Sequence, residues 1–445
     1  MKLSLKNAVA VSLWALSGQA WSADLMQVLR DAFANDAQYA SARATRDAGL
    51  EALPQGLAGL LPTISASAFT QMNHVDIGFR GLLPNSIREG NSNAVTFSLT
   101  QPVFNWNNIQ VYREAGFKAA QTEANFSLAT QDLIVRVSQA YFDVLASQDS
   151  LAFIQAQKTA ISEQLAQAKR NFEVGTATIT DTHEAQARYD LAASQEIAAQ
   201  SDLEIKKRAL QQIIRKFPDA LAPLGPMFQI NPPKPATMEE WASAAEAQAF
   251  PVRAQEAALE VAVREIDRLR AGHLPTLNLV GNYVQSGQAL NTSAVTNVAT
   301  DATNRNIGLQ LAIPLYSGGN VSSQVRQAIA SREKAQQDLE FSRRSAALSA
   351  RQAYLGVSNG IAQVKALEAA LRSSESALES NKLGYEVGVR INIDVLNAQQ
   401  QVFSTKRDLS KARYDAIMNG LKLKAAAGSL ADTDIEEVNR LLGGS

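Results

Sequence analysis

The chain contains no cysteine among its 445 residues, which excludes disulfides, thiol catalysis, thiolate metal sites and a lipidated N-terminal cysteine. Such a composition suits a compartment in which stray thiols are a liability. Histidine is nearly as scarce: His74, His183 and His273 stand far apart, none has a partner at metal-ligand spacing, and each reads as a solvated or packed polar residue. No metal site is expected. Aromatic residues make up only 6% of the chain, beside 24 glycines and 13 prolines, a balance that suits long helices better than a compact α/β enzyme. Neither sign of charge is in excess: 42 basic and 43 acidic residues leave −1, so no bulk field draws nucleic acid and none is expected as a partner. Also missing are a Ser/His/Asp order and a phosphate-cradling glycine loop, so neither a cofactor nor enzymatic activity is expected.

Long apolar runs are missing too. Residues 1–22 have the build of an export signal, with Lys2 and Lys6, an apolar run from Ala8 to Leu16 and then Ala20-Trp21-Ser22, and cleavage is expected before Ala23. That run is too short to span a bilayer, and no later segment offers about 18 uninterrupted apolar residues. A chain exported this way can enter a membrane only as a β-barrel.

What is present is a pattern met twice. Tyr385 to Gln401 reads Tyr-Glu-Val-Gly-Val-Arg-Ile-Asn-Ile-Asp-Val-Leu-Asn-Ala-Gln-Gln-Gln, and Phe172 to Ala187 carries the same Glu-Val-Gly, the same Asp six residues after the Gly, and the same Ala-Gln, 213 positions earlier. Leu61-Pro62-Thr63 recurs as Leu274-Pro275-Thr276, and Gln139-Ala140-Tyr141 as Gln352-Ala353-Tyr354, at the same offset. An internal duplication explains all three with one assumption.

The first repeat, 23–216, is expected to hold a helix from Asp24 to about Leu53, strands at about 63–72 and 94–104, a long helix at about 107–174 and a further helix at about 178–216. Six of the thirteen prolines then fall between Phe217 and Pro235, marking 217–236 as the linker. The second repeat, 237–428, restarts with a helix from about Met238 to Ala271, strands at about 276–284 and 306–316, a long helix at about 321–387 and a last helix at about 391–427, before a tail at 429–445. Polar segments from Asn73 to Asn93 and from Gln285 to Arg305 read as loops at one rim. Gly175 and Gly388 close the two long helices as left-handed caps.

Four amphipathic strands cannot close a barrel, since the smallest membrane barrels need about eight and open edges do not survive in lipid. The barrel is therefore expected to be shared between chains, with polar alternate positions lining a wet lumen and apolar ones facing lipid. The long helices, seamed at 3,4 spacing, are expected to pack side by side.

This order of elements, the repeated Leu-Pro-Thr and Glu-Val-Gly turns, the run from Tyr385 to Ala398 and the closing Leu423-Lys-Ala-Ala-Ala-Gly428-Ser-Leu430 resemble the TolC family of outer-membrane export ducts. The resemblance covers almost the whole mature chain. It implies a mainly α fold with membrane β: a homotrimer in which four strands per chain give a twelve-stranded β-barrel, continued by an α-helical barrel through the periplasm. It also implies outer-membrane lipid as surroundings in a Gram-negative cell. The partners implied are a periplasmic adaptor and an inner-membrane transporter of ABC, RND or MFS type, for type I protein secretion or multidrug efflux.

The resemblance further places the two turns at the closing periplasmic end. Asp394 then falls at an entrance aspartate and Asn397 at a second acidic position, here neutral, so cation selectivity is expected to be weaker than with two rings of acid. Tyr385 and Arg390 match positions that tie the second turn to the first, with Thr180 and Asp181 as acceptors, a latch. Read without the resemblance, Asp181 and Asp394 complement the dipoles of their helices for about 0.3–1 kcal/mol each, Arg390 is a surface residue and Tyr385 a packed one. The competing functional class is a periplasmic adaptor without its own pore, which also pairs long helices but carries a single hairpin.

Overall fold

The computed structural model describes residues 23–81, 86–218, 220–225, 231–292 and 295–443; the expected export signal lies outside them. Packing divides the chain into two units, one built from the segments Ser41–Ala129 and Glu246–Ala347, the other from the segments ending at Ala40, Thr130–Ala245 and from Leu348 on.

The first unit holds the sheet. Strands β1 (Thr63–Ile77), β2 (Ser86–Phe104), β3 (Thr276–Thr292) and β4 (Val295–Ala312) are antiparallel throughout, in the order β1-β2-β3-β4. Two hairpins from distant parts of the chain thus become one sheet through the β2–β3 pairing. The register aligns the apolar alternation of all four strands. Ile64, Leu99, Gly281 and Ile307 form one cross-strand row, and Ala66, Phe97, Tyr283 and Arg305 the next on the same face. The opposite face carries rows such as Ser65, Ser98, Asn282 and Asn306. Ile64 is 76% exposed and Ile307 74%, so the apolar face has no cover within the chain. Pro102, which lacks an amide donor, sits where the β2–β3 register slips, the usual place for proline inside a sheet.

These strands correct the sequence-based bounds. They run 15, 19, 17 and 18 residues, and the segments read as loops, Asn73–Asn93 and Gln285–Arg305, are largely strand. The extension is mostly polar, with only scattered apolar residues such as Val75 and Ile87, so it carries no sustained hydrophobic period, and cross-strand polar pairs help to hold it. Thr70 donates to Asn91 at 3.1 Å, and His74 Nδ1 lies 2.6 Å from Glu89 Oε1. At the other end β4 stops at Ala312, short of the expected 316, because Pro314 cannot donate to a ladder.

Helices α4 (Trp106–Glu173) and α8 (Asn320–Glu386) are the two long ones, of 68 and 67 residues, followed by α5 (Ile179–Ile214) and α9 (Asn392–Ala426). The helix expected from Asp24 to Leu53 is instead three: α1 (Leu25–Asn35), α2 (Ala37–Leu50) and α3 (Ala52–Ala58). Asp36 breaks it, taking an extended backbone so that its Oδ1 accepts the Tyr39 amide at 2.6 Å. Its counterpart, Met238 to Ala271, is likewise broken into α6 (Met238–Gln248) and α7 (Phe250–Arg270), where Pro251 lies in the first turn. A short α10 (Asp432–Arg440) follows Gly428.

The second unit repeats one tie at equivalent places. Tyr141, fully buried, donates from its hydroxyl to the carbonyls of Ala23 at 3.2 Å and Ala222 at 2.9 Å, and Tyr354 donates to the carbonyl of Ala236. Ala23 and Ala236 each lie 118 positions before their tyrosine. Burial raises the Tyr141 hydroxyl pKa, which keeps it a neutral donor.

Candidate functional site at the helix turns

Both turns between long and following helices lie in the second unit and share one backbone. Gly175 and Gly388 take φ of 77° and 78°, the left-handed region in which a Cβ is strained. At the first turn the Thr176 amide reaches the Asn171 carbonyl at 2.8 Å and the Gly175 amide the Phe172 carbonyl at 3.0 Å. At the second, Val389 reaches Gly384 at 2.9 Å and Gly388 reaches Tyr385 at 3.1 Å. This is the Schellman pattern twice over, and it satisfies the last helical carbonyls. No atom lies within 4 Å of where either glycine's Cβ would stand, so backbone angle and not space demands glycine.

The side chains that follow diverge. Thr178 caps α5, and Asp181 returns the bond: the Thr178 amide and hydroxyl donate to Asp181 Oδ2 at 3.0 and 2.8 Å, and the Asp181 amide donates to Thr178 Oγ1 at 3.3 Å. The equivalent cap position of α9 is Ile391, which offers no side-chain oxygen. Asp394 is therefore left out of a capping box, although it still lies in the first turn. Its carboxylate stands 3.6 Å from the Arg390 guanidinium and is one-third exposed. One difference between the repeats, threonine against isoleucine, leaves this aspartate to Arg390 instead of to a cap.

The expected latch from Tyr385 and Arg390 to Thr180 and Asp181 is not made within one chain. Tyr385 Oη instead accepts from Asn171 Nδ2 at 3.2 Å, tying the end of α8 to the end of α4, while Arg390 faces Asp394. Asp181 is occupied by its own cap. Gly384 packs under the Arg390 stem, and a Cβ there would lie 2.7 Å from Arg390 Cγ.

Asn397, one turn beyond Asp394, is exposed and accepts from Arg188 Nη2 at 2.8 Å; Arg188 Nη1 donates to Gln400 Oε1 at 2.6 Å. Neither Arg188 nor Asn171 was singled out from the sequence. Each is a polar residue on a long helix whose partner lies more than 200 positions away, and no local period marks it. Arg390, Asp394, Asn397, Ser374, Asn381 and Gln401 share the wall of an open groove between α8 and α9. Beneath the turns Leu396 of α9 packs on Ile161, Leu165, Ala168, Ala185 and Ala192 of α4 and α5. Among the described residues no three metal-ligating side chains cluster.

A sheet with one apolar face and unpaired edges, in a chain with two pairs of long helices joined by matching glycine turns, has the build of an outer-membrane export channel. The chain belongs to the outer membrane efflux protein family, whose model matches residues 28–214 and 241–429, on either side of the proline-rich segment. It is 33% identical to the outer membrane protein TolC of Vibrio cholerae over 99% of this chain and 98% of that one. It is also 33% identical to the alkaline protease secretion protein AprF of Pseudomonas aeruginosa, over 96% and 89%. Among solved structures, the Campylobacter jejuni CmeC outer membrane channel superposes with a TM-score of 0.79 at 18% identity, covering 99% of this chain and 98% of that one. The chain is thus an outer-membrane exit channel of Gram-negative type. The adaptor alternative has no support among these relatives.

Proposed function

We propose that three copies of this chain form a closed duct, each contributing four strands to a twelve-stranded barrel, with α4, α5, α8 and α9 continuing it as a helical tunnel. The observation that carries this reading is the sheet: among the described residues β1 and β4 leave unpaired edges, and apolar side chains such as Ile64 and Ile307 have no cover in one chain. Closure on copies satisfies both at once. Exposed apolar side chains along α5, including Ile197 at 69% and Ile205 at 62%, are then covered by a neighbouring copy.

In this duct the turns after α4 and α8 converge at the periplasmic end. Three Asp394 carboxylates form a ring that favours cations, and Asn397 makes the next ring neutral. Tyr385 with Asn171, and Arg390 with Asp394, hold the turns closed, and Thr180 and Asp181 are the first turn's contribution once copies meet. A periplasmic adaptor and an energised inner-membrane transporter open it. Relatives named for protease secretion and for efflux both resemble this chain, the former at 33% identity over 96% of it and the latter at 26% over 67%, so the duct suits either cargo and the transporter selects it.

The test is assembly and conduction. Protein purified from outer membranes should run on gels as a trimer unheated and as a monomer after boiling, and should give small cation-preferring currents in planar bilayers. A heat-insensitive monomer without conductance would refute the reading.

A further inference from the structure

We propose that Arg188 is a positioning residue of the gate, one that clamps the inner turn closed and also offsets its negative charge; this rests on the reading of the turns as the closing end. Arg188 projects from α5, and its guanidinium forks onto two amide oxygens of α9 one turn apart, Asn397 Oδ1 at 2.8 Å and Gln400 Oε1 at 2.6 Å. A planar fork meeting two acceptors fixes the rotation of α9 about its axis, which a single contact cannot do. It acts at the residue next in line after Asp394 on the groove wall, so it governs how that wall faces the opening.

The charge is the second part. Both partners of Arg188 are neutral amides, and the other residues lining the cleft beside it, Gln157, Ile161, Leu191, Ala192, Gln195 and Leu396, carry no carboxylate; on its own helix Glu184 lies one turn before it. Asp190, two residues on, takes its bond from Gln186 at 3.0 Å. On the groove wall Asp394 faces Arg390, and Arg188 brings a second guanidinium to the level of Asn397, while the other acids of the two turns, such as Asp181 and Glu386, lie off this wall. Asn397 does more than omit an acid: it is the acceptor by which a positive charge is brought to that level of the opening.

The experiment measures conductance and reversal potential in asymmetric KCl for the purified full-length trimer, with trimer migration on gels as the folding check. Arg188→Gln is expected to raise conductance and to shift the cation-to-anion permeability ratio toward cations by at least about twofold. Arg188→Lys keeps the charge and loses the fork, so conductance should rise while the permeability ratio stays near the parent's. Asn397→Asp alone gives Arg188 a charged partner, so the channel should stay closed with little added cation preference. In the Arg188→Gln background the same Asn397→Asp change should add cation preference strongly. The proposal is overturned if Arg188→Gln and Arg188→Lys both leave conductance and reversal potential unchanged while Tyr385→Phe with Arg390→Ser opens the channel. It is equally overturned if Asn397→Asp has the same effect in both backgrounds. If Tyr385→Phe with Arg390→Ser is silent as well, the reading of the turns as the closing end falls, and Arg188 falls with it.

Discussion

At the residue scale, the two turns differ in how their equivalent aspartates are engaged, and the proposed gate rests on that difference. Thr178 holds Asp181 in a capping box, whereas Ile391 cannot hold Asp394. Introducing the cap by Ile391→Thr should draw Asp394 into its own helix terminus, and the reversal potential in asymmetric KCl should move toward that of Asp394→Asn. Removing the other cap by Thr178→Ala should cost the start of α5 about 1 kcal/mol, read as a lower unfolding midpoint, with no change in selectivity. The turn glycines are a backbone matter. Gly388→Ala places a Cβ at φ 78° and should destabilise the turn by about 1–2 kcal/mol, seen as higher resting conductance and faster protease cutting there.

At the element scale, long helices are held to one another by sparse polar ties between apolar seams. Lys158 of α4 donates to Glu196 of α5 at 2.7 Å, and this bond lowers the Glu196 pKa from 4.5. A carboxylate whose pKa is lower folded than unfolded stabilises the fold above its unfolded value, and that contribution vanishes as pH falls through the folded value. Glu196→Gln should therefore lower the melting temperature at neutral pH and narrow the difference from the parent below pH about 4. The strands invite a different test. Leu309 lies on the apolar face of β4 and is 68% exposed in one chain, so Leu309→Arg should weaken insertion by about 2–4 kcal/mol near mid-bilayer. The heat-modifiable band should diminish accordingly, and Gln310→Arg on the other face should be tolerated.

At the scale of the whole molecule, the two β-hairpins lie on either side of α4 to α7 in sequence, and the β2–β3 pairing makes them one sheet. That pairing carries a single apolar face across all four strands and leaves the two outer edges for other copies. The same economy applies to the proposed constriction, where a ring of charge would require only one aspartate per chain. An outer-membrane channel built this way has no lipid-spanning helix among its described residues, and it needs none.

Much of this was legible in the sequence because it is locally encoded. Helical period, the prolines of the linker, the glycine required at a left-handed cap and the alternation in each strand core are read from neighbours, and the 213-residue echo turned each reading into two. Tertiary structure alone decided the rest. Strands continue past their apolar cores because cross-strand polar pairs such as His74 with Glu89 stand in for hydrophobic alternation. The helices before each hairpin break at Asp36 and beside Pro251, where capping and a missing amide outweigh an unbroken apolar period. Which aspartate is engaged, and that Arg188 reaches Asn397, depend on partners set by helix packing, and packing brings together residues whose separation in sequence carries no signal.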